Sequence, residues 1–298
     1  MGCTHHCTRT RSIHLKRVDY VEPNQYFHIQ DNVEQPNLPS WGLSRVSHRG
    51  PHNSGNNKYT YDENESGQGV TAYVVDTGIK INHNGIAIPS GASDTDNQGH
   101  GTHVAGTIAG TKYGVAKKAT VVAVKVFPDN SGSTDTSTII RGIEWAPWRR
   151  NRPALDSAVD AAVQAGMVVA VAAGNRGEDA HHSSPARSPN ALTTGAIDQT
   201  DTMPPWSNWG QILDFNAPGV NIVSCGISST DAEATLSGTS MASPHIAGLA
   251  SCLRQNPKYS NFHRLAYELR LRAEGGCKPY TGHEAGTPNL AAVNKTAY

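Results

Sequence analysis

An α/β protein with a mostly parallel sheet is the fold class the sequence predicts, and three observations predict it. Apolar runs rich in β-branched residues recur at "VTAYVV" (70–75), "ATVVAVKVF" (119–127) and "MVVAVAAG" (167–174), as expected of strands buried on both faces. Segments of helical period lie between them. At 298 residues, with 29 glycines and 17 prolines, the chain is long enough for one large, turn-rich domain with a substantial core.

The elements follow in order. After the first strand, "HGTHVAGTIAG" (100–110) places small and apolar residues at i, i+4 and i+7, as in a helix. The second strand precedes an amphipathic helix, "TSTIIRGIEWA" (136–146). "PALDSAVDAAVQAG" (153–166) opens with proline in its first turn and closes on glycine, the usual helix punctuation. "ALTTGAI" (191–197) and "GVNIVSC" (219–225) read as shorter strands behind the third, and "TSMASPHIAGLASCLRQNP" is a helix from 239 that stops at Pro257. Alternating strands and helices imply a parallel sheet. Active groups of such sheets collect at the carboxyl ends of the strands.

That rule selects Asp76, directly after the first strand, and Asn175, directly after the third, while His100 and Ser240 each head a helix. Taken singly, each has a plainer reading. Ser240 is first of all a helix cap, Asp76 a turn stabiliser, and Asn175 a turn former before Arg176 and Gly177.

Charge and composition exclude several classes. Lys plus Arg and Asp plus Glu both number 25, which gives no basic surface for nucleic acid or anionic membrane. No apolar run reaches the ~20 residues of a membrane span, and the basic N-terminus "MGCTHHCTRTRSIHLKR" lacks the apolar stretch of a secretory signal. "CTHHC" offers Cys3, His5, His6 and Cys7 as zinc ligands in number. With no second cluster and no turn to set their geometry, it reads as a solvated end. Five cysteines cannot all pair, and Cys225, Cys252 and Cys277 are scattered, so no disulfide framework is expected. A ligand-binding α/β module is disfavoured because no phosphate-type glycine loop follows the first strand.

Three segments, "YVVDTGI", "GHGTHVAGTIAG" and "SGTSMASPHIAGL", resemble the subtilisin-like serine peptidases, and in detail their proteinase K and fungal vacuolar or cuticle-degrading branch. The likeness runs from "PSWGLSRVS" to "GTPNLAAVN". It implies a three-layer fold, a mostly parallel central sheet with helices on both faces. It also implies a serine endopeptidase in which Ser240 is the nucleophile, His100 the general base and Asp76 the group orienting the imidazole. The Asn175 side chain and the Ser240 N–H would receive the oxyanion. His103 and His245 are then structural histidines.

The same resemblance implies a substrate edge at Ser131, Gly132 and Ser133, where an extended peptide adds by β-augmentation. A roomy pocket floor would come from Ala172, Ala173 and Gly174. A structural calcium would sit on the Pro189 and Ala191 carbonyls and the Asp214 carboxylate, with no cofactor required for the chemistry. Residues 1–36 resemble the remnant of an inhibitory prosegment and 37–298 the peptidase domain, with maturation between Gln30 and Asn37. Partners would be protein and peptide substrates and the prosegment, in a secreted or vacuolar monomer. Asn64 and Asn294 are sequons that matter only in the secretory route.

The chain departs from the family in two places. Helices 136–146 and 153–166 meet across "PWRRN" with no strand between them, where the family has a central strand ending in a Ser-Leu-Gly-Gly type segment that walls the specificity pocket. A parallel arrangement needs a strand there. The stretch from Asp76 to His100 is also short and lacks an edge strand. The central strand is therefore expected to be missing.

Overall fold

The computed structural model describes residues 32–53, 55, 57–85, 95–129, 132–145, 155–275 and 286–294. It begins with strand β1 (Asn32–Pro36), which pairs antiparallel with β2 (Lys58–Asp62) across helix α1 (Trp41–Ser47). β1 lies on the N-terminal side of the 36/37 boundary read from the sequence, yet it belongs to the compact unit that starts at Asp31. Helix α1 is buried along its whole length and is tied down by a buried ion pair, Arg45 Nε to Asp201 Oδ1 at 2.7 Å. Burying charge costs heavily unless it is paired and hydrogen-bonded, and Arg45 meets both conditions by also donating Nη1 to the His48 carbonyl.

The first two predicted strands appear as β3 (Thr71–Asp76) and β4 (Thr120–Lys125), paired in parallel over six residues. Helix α2 (His100–Ala109) connects them. The predicted helix pair becomes α3 (Thr136–Trp145) and α4 (Leu155–Gln164), which pack through Ile140, Leu155 and Ala158. The segment where a strand was expected to be missing, 146–154, is outside the described residues, as is 86–94 between Asp76 and His100.

The third strand, β5 (Ala170–Ala172), is shorter than its apolar run. It pairs in parallel with β6 (Leu192–Ile197), and β6 with β7 (Phe215–Pro218). "GVNIVSC" does form a strand, β8 (Ile222–Cys225), but it pairs antiparallel with β9 (Glu233–Leu236) outside this sheet. Helix α5 (Thr239–Arg254) ends three residues before Pro257 and packs against β5, β6, β7 and α2. Helix α6 (Phe262–Arg272) is capped by Asn261, whose side chain accepts from the Arg264 N–H. Beyond it, β10 (Glu274–Gly275) and β11 (Leu290–Ala291) extend the β7 edge.

The parallel sheet therefore stands in two pieces among the described residues, β3–β4 and β5–β6–β7–β11–β10. β6, paired on both sides, is buried at all six positions, whereas β3, paired only with β4, buries Val74 alone. A slot of about 960 Å³ lies between β3 and β5. No helix among the described residues is long and apolar enough to cross a membrane.

Candidate active site

β3 delivers Asp76 at its C-terminal end, and α2 delivers His100 as its first residue. The His100 Nδ1 lies 2.8 and 2.9 Å from the two Asp76 carboxylate oxygens. With Asp76 ionised, Nδ1 is the protonated nitrogen and Nε2 is left as the base. Burial pulls the imidazole pKa down, but the hydrogen bond and charge of Asp76, with the more distant charge of Asp96, outweigh it and raise it above the ordinary value. His100 is 39% exposed, so its other ring edge is open to a substrate.

Asp96 holds this couple in place and was not singled out in the sequence. Its Oδ1 accepts from Thr77 Oγ1 and from the Gln98 and Gly99 N–H groups, and its Oδ2 from the Thr102 N–H and Oγ1. These bonds hold its carboxyl below the usual carboxylate range in spite of burial. Thr77 follows Asp76, and the other donors lie just ahead of α2 (Gln98, Gly99) and in its first turn (Thr102), so one buried carboxylate fixes both partners of the Asp–His pair. An acidic residue just ahead of a helix start is the signal that could have revealed it.

Ser240 is the second residue of α5, where a free backbone N–H points out of the positive helix end. Gly238 precedes the helix with φ 159°. Pro244 lacks the N–H that would bond the Ser240 carbonyl, a loss tolerated this near a helix start. Ser240 and His100 line the same slot, with no hydrogen bond between them among the described residues. Such contacts often tighten only when substrate binds.

Asn175 stands on the loop after β5. Its Oδ1 accepts from the Thr239 N–H at 2.8 Å and from Thr239 Oγ1 at 2.9 Å, which orients the amide and leaves Nδ2 as a donor beside the start of α5. Thr239 Oγ1 also accepts from the Gly174 N–H. Buried Asn208 braces the same loop, accepting from the Arg176 and Glu178 N–H groups and donating to the Ala173 carbonyl and Ser183 Oγ. Neither Thr239 nor Asn208 was legible as a site residue, because both act through loops distant in sequence.

His103 and His245 are structural. Burial pushes each down to about 4. His103 Nε2 meets the Ile222 carbonyl at 2.9 Å, and His245 Nδ1 the Met241 carbonyl at 2.9 Å. Both are neutral near pH 7.

The predicted substrate contacts fare unequally. Ala172 and Gly132 line the slot with Ser240. Ala173 is fully buried in a separate cluster with Ala180 and Met203, and Gly174 sits at φ 108° against Asn208. Ser133 is exposed, and Ser131 is outside the described residues.

Of the donors proposed for calcium, the Asp214 carboxylate already has protein partners. The Asp214 carboxylate pairs with Arg270 through Oδ1 and accepts from the Thr193 N–H through Oδ2 at 2.8 Å. Burial nonetheless holds its carboxyl above the usual range. A guanidinium thus supplies the positive charge that calcium would bring. Chelation is expected to leave the melting temperature unchanged in a thermal scan with and without EDTA, and a fall of several degrees would show a bound divalent ion.

Of the sequons, Asn64 is exposed, whereas Asn294 donates its Nδ2 to the Thr60 carbonyl at 2.7 Å.

Residues 67–274 match the model of the subtilase family, Peptidase S8. The chain is 46% identical to cerevisin of Saccharomyces cerevisiae over 264 residues, covering 78% of this chain and 41% of cerevisin. It is 41% identical to the subtilisin-like serine protease Rho m 2.0101 of Rhodotorula mucilaginosa, covering 95% of this chain and 86% of that protein. The crystal structure of a cold-adapted subtilisin-like serine proteinase superposes with a TM-score of 0.75 at 38% identity, covering 85% of this chain and 97% of that one. On the motifs, the fold and these similarities together, the chain belongs to the subtilase family of Peptidase S8.

Proposed function

We propose that this chain is a serine endopeptidase that cleaves proteins through an acyl-enzyme on Ser240. The observation that carries the reading is the Asp76–His100 couple, bidentate at 2.8 and 2.9 Å, on the slot that Ser240 also lines. His100 Nε2 takes the Ser240 proton as Oγ attacks the scissile carbonyl and later gives it to the leaving amine, while Asp76 stabilises the imidazolium. Asn175 Nδ2 and the Ser240 N–H receive the oxyanion. The resemblance and the relatives support a secreted or vacuolar setting and an inhibitory prosegment.

Asn175→Ala is expected to lower kcat by about 10²–10³ with KM little changed, since the amide acts on charge that develops only in the transition state. Steady-state kinetics on one peptide amide checks this.

The pH profile follows from the raised His100 pKa. Only neutral His100 can act as base, so kcat/KM rises with pH through the His100 pKa and its acid limb lies above the ordinary value of about 6.5. Asp76→Asn removes the main cause of the raise and is expected to move that limb downward while lowering the plateau.

The test is incubation with an unstructured protein and identification of new termini by mass spectrometry. Internal cuts that vanish in His100→Ala support the endopeptidase reading. The slot favours a second reading, a subtilase-derived chain without turnover, because β5, which lines the slot with Ser240, has no strand on its other side among the described residues. A folded wild-type chain that makes no cuts decides for it.

A further inference from the structure

The slot between β3 and β5 is bounded on four sides, and its boundaries specify an occupant. Two sides are strand edges. β3 pairs only with β4 and β5 only with β6, so among the described residues the opposite edge of each has no strand partner. Both strands end at the same site, β3 in Asp76 and β5 just before Asn175, so they run in the same direction. The third side is one face of α5, where Ser243, Ala247, Ala250 and Ser251 recur at helical spacing. The fourth is built from bulkier groups of α3 and α4, including Ile139, Ile143, Leu155 and Val159.

The volume of about 960 Å³ stands at the upper end of ordinary ligand pockets, which hold ~300–1,000 Å³. Its long axis follows β3, whose six residues span roughly 20 Å. A hydrocarbon would fill such a space but leave both rows of backbone N–H and C=O groups unbonded, and each buried unpaired group is costly. An extended polypeptide satisfies both rows at once.

Charge sets its direction. Arg254 lines the slot at the end away from Ser240, with Gly166 and Gly69. It donates to the carbonyls of Tyr259, Ser260 and Gly166, and no carboxylate among the described residues pairs with it. Among the described residues, no charged side chain lines the slot between that end and Asp76 and His100. A strand parallel to β3 and β5 starts at Arg254 and finishes at Ser240 and His100.

We propose that the slot binds a polypeptide segment in trans as an added parallel strand, about six or seven residues long, with an acidic residue at its start and alternating apolar side chains beyond it. The larger, β-branched side chains face the small residues of α5, and small ones face α3 and α4. The segment at 146–154 of the chain itself, "APWRRNRPA", has the wrong chemistry, with three arginines and two prolines. The proposal concerns binding and stands whether or not Ser240 turns over substrate.

The probe is the synthetic peptide acetyl-Glu-Val-Ala-Ile-Ala-Val-Gly-amide, added to the full chain and followed by amide hydrogen exchange and isothermal calorimetry. The expected result is saturable binding with slowed exchange at Thr71–Asp76 and Ala170–Ala172. The same peptide N-methylated at alternate residues is expected to bind at least about 10-fold more weakly, because it loses one row of donors. Glu→Lys at its first position is expected to weaken binding as well. Three results would overturn the proposal. They are full exchange protection of both strands in the chain without peptide, equal binding of the N-methylated peptide, and displacement of the peptide by a fatty acid without loss of protection.

Discussion

Ser240→Ala is expected to lower kcat for peptide hydrolysis by on the order of 10⁶, leaving only what binding and the oxyanion donors supply. The size of this effect follows from the way the group works. A serine hydroxyl is a poor nucleophile until a base removes its proton, and here Asp76 fixes the tautomer of that base while Asp96 fixes both. His100→Ala is expected to cost about as much, and the double variant little more than either alone, because the residues act as one unit. Additive losses in the double variant would mean that the two do not share a step. Progress curves on a peptide amide, with circular dichroism to confirm folding, make the comparison.

The second large effect concerns the parallel sheet, which stands in two pieces among the described residues. Replacing residues 146–154 with a β-branched strand that ends in two glycines is expected to join β3 to β5. Such a strand forms roughly six backbone hydrogen bonds at about 1 kcal/mol each. In a domain of this size a gain of ~5 kcal/mol raises the melting temperature by about 10–20 °C. The same strand would stand opposite Ala172 and give the substrate side chain a second wall, so preference among residues at the cleavage point should sharpen. Thermal unfolding and a peptide library read the two effects separately. An unchanged melting temperature would mean that the slot is not a vacant strand position.

Much of the frame was legible because it depends on local pattern. Runs of β-branched residues gave β3, β4 and β6, and proline and glycine punctuation placed α4. The carboxyl-end rule then led to Asp76 and Asn175 without any knowledge of distances. What escaped notice depends on partners. β7 reads "FNAP", with neither β-branched residues nor alternation, and becomes a strand because β6 and β11 flank it. "MVVAVAAG" forms only three residues of strand because one of its edges lacks a neighbour among the described residues. "GVNIVSC" is strand-like, but nothing in its pattern says that it pairs with β9.

The site divides in the same way. Ser240, His100 and Asp76 announce themselves at element boundaries, whereas Thr239 and Asn208 work by holding Asn175 and its loop from afar. The calcium expectation met a pairing that the sequence does not show, Asp214 with Arg270, 56 residues apart. Position alone identifies a carboxylate but not the cation it faces.

Ser240 as the activated nucleophile is tested by labelling with a fluorophosphonate followed by peptide mapping. A single adduct on Ser240 is expected, whose rate of formation rises with pH above about 6.5 and collapses in His100→Ala. A folded chain that takes up no label, or carries it on another residue, or labels equally well without His100, would contradict it.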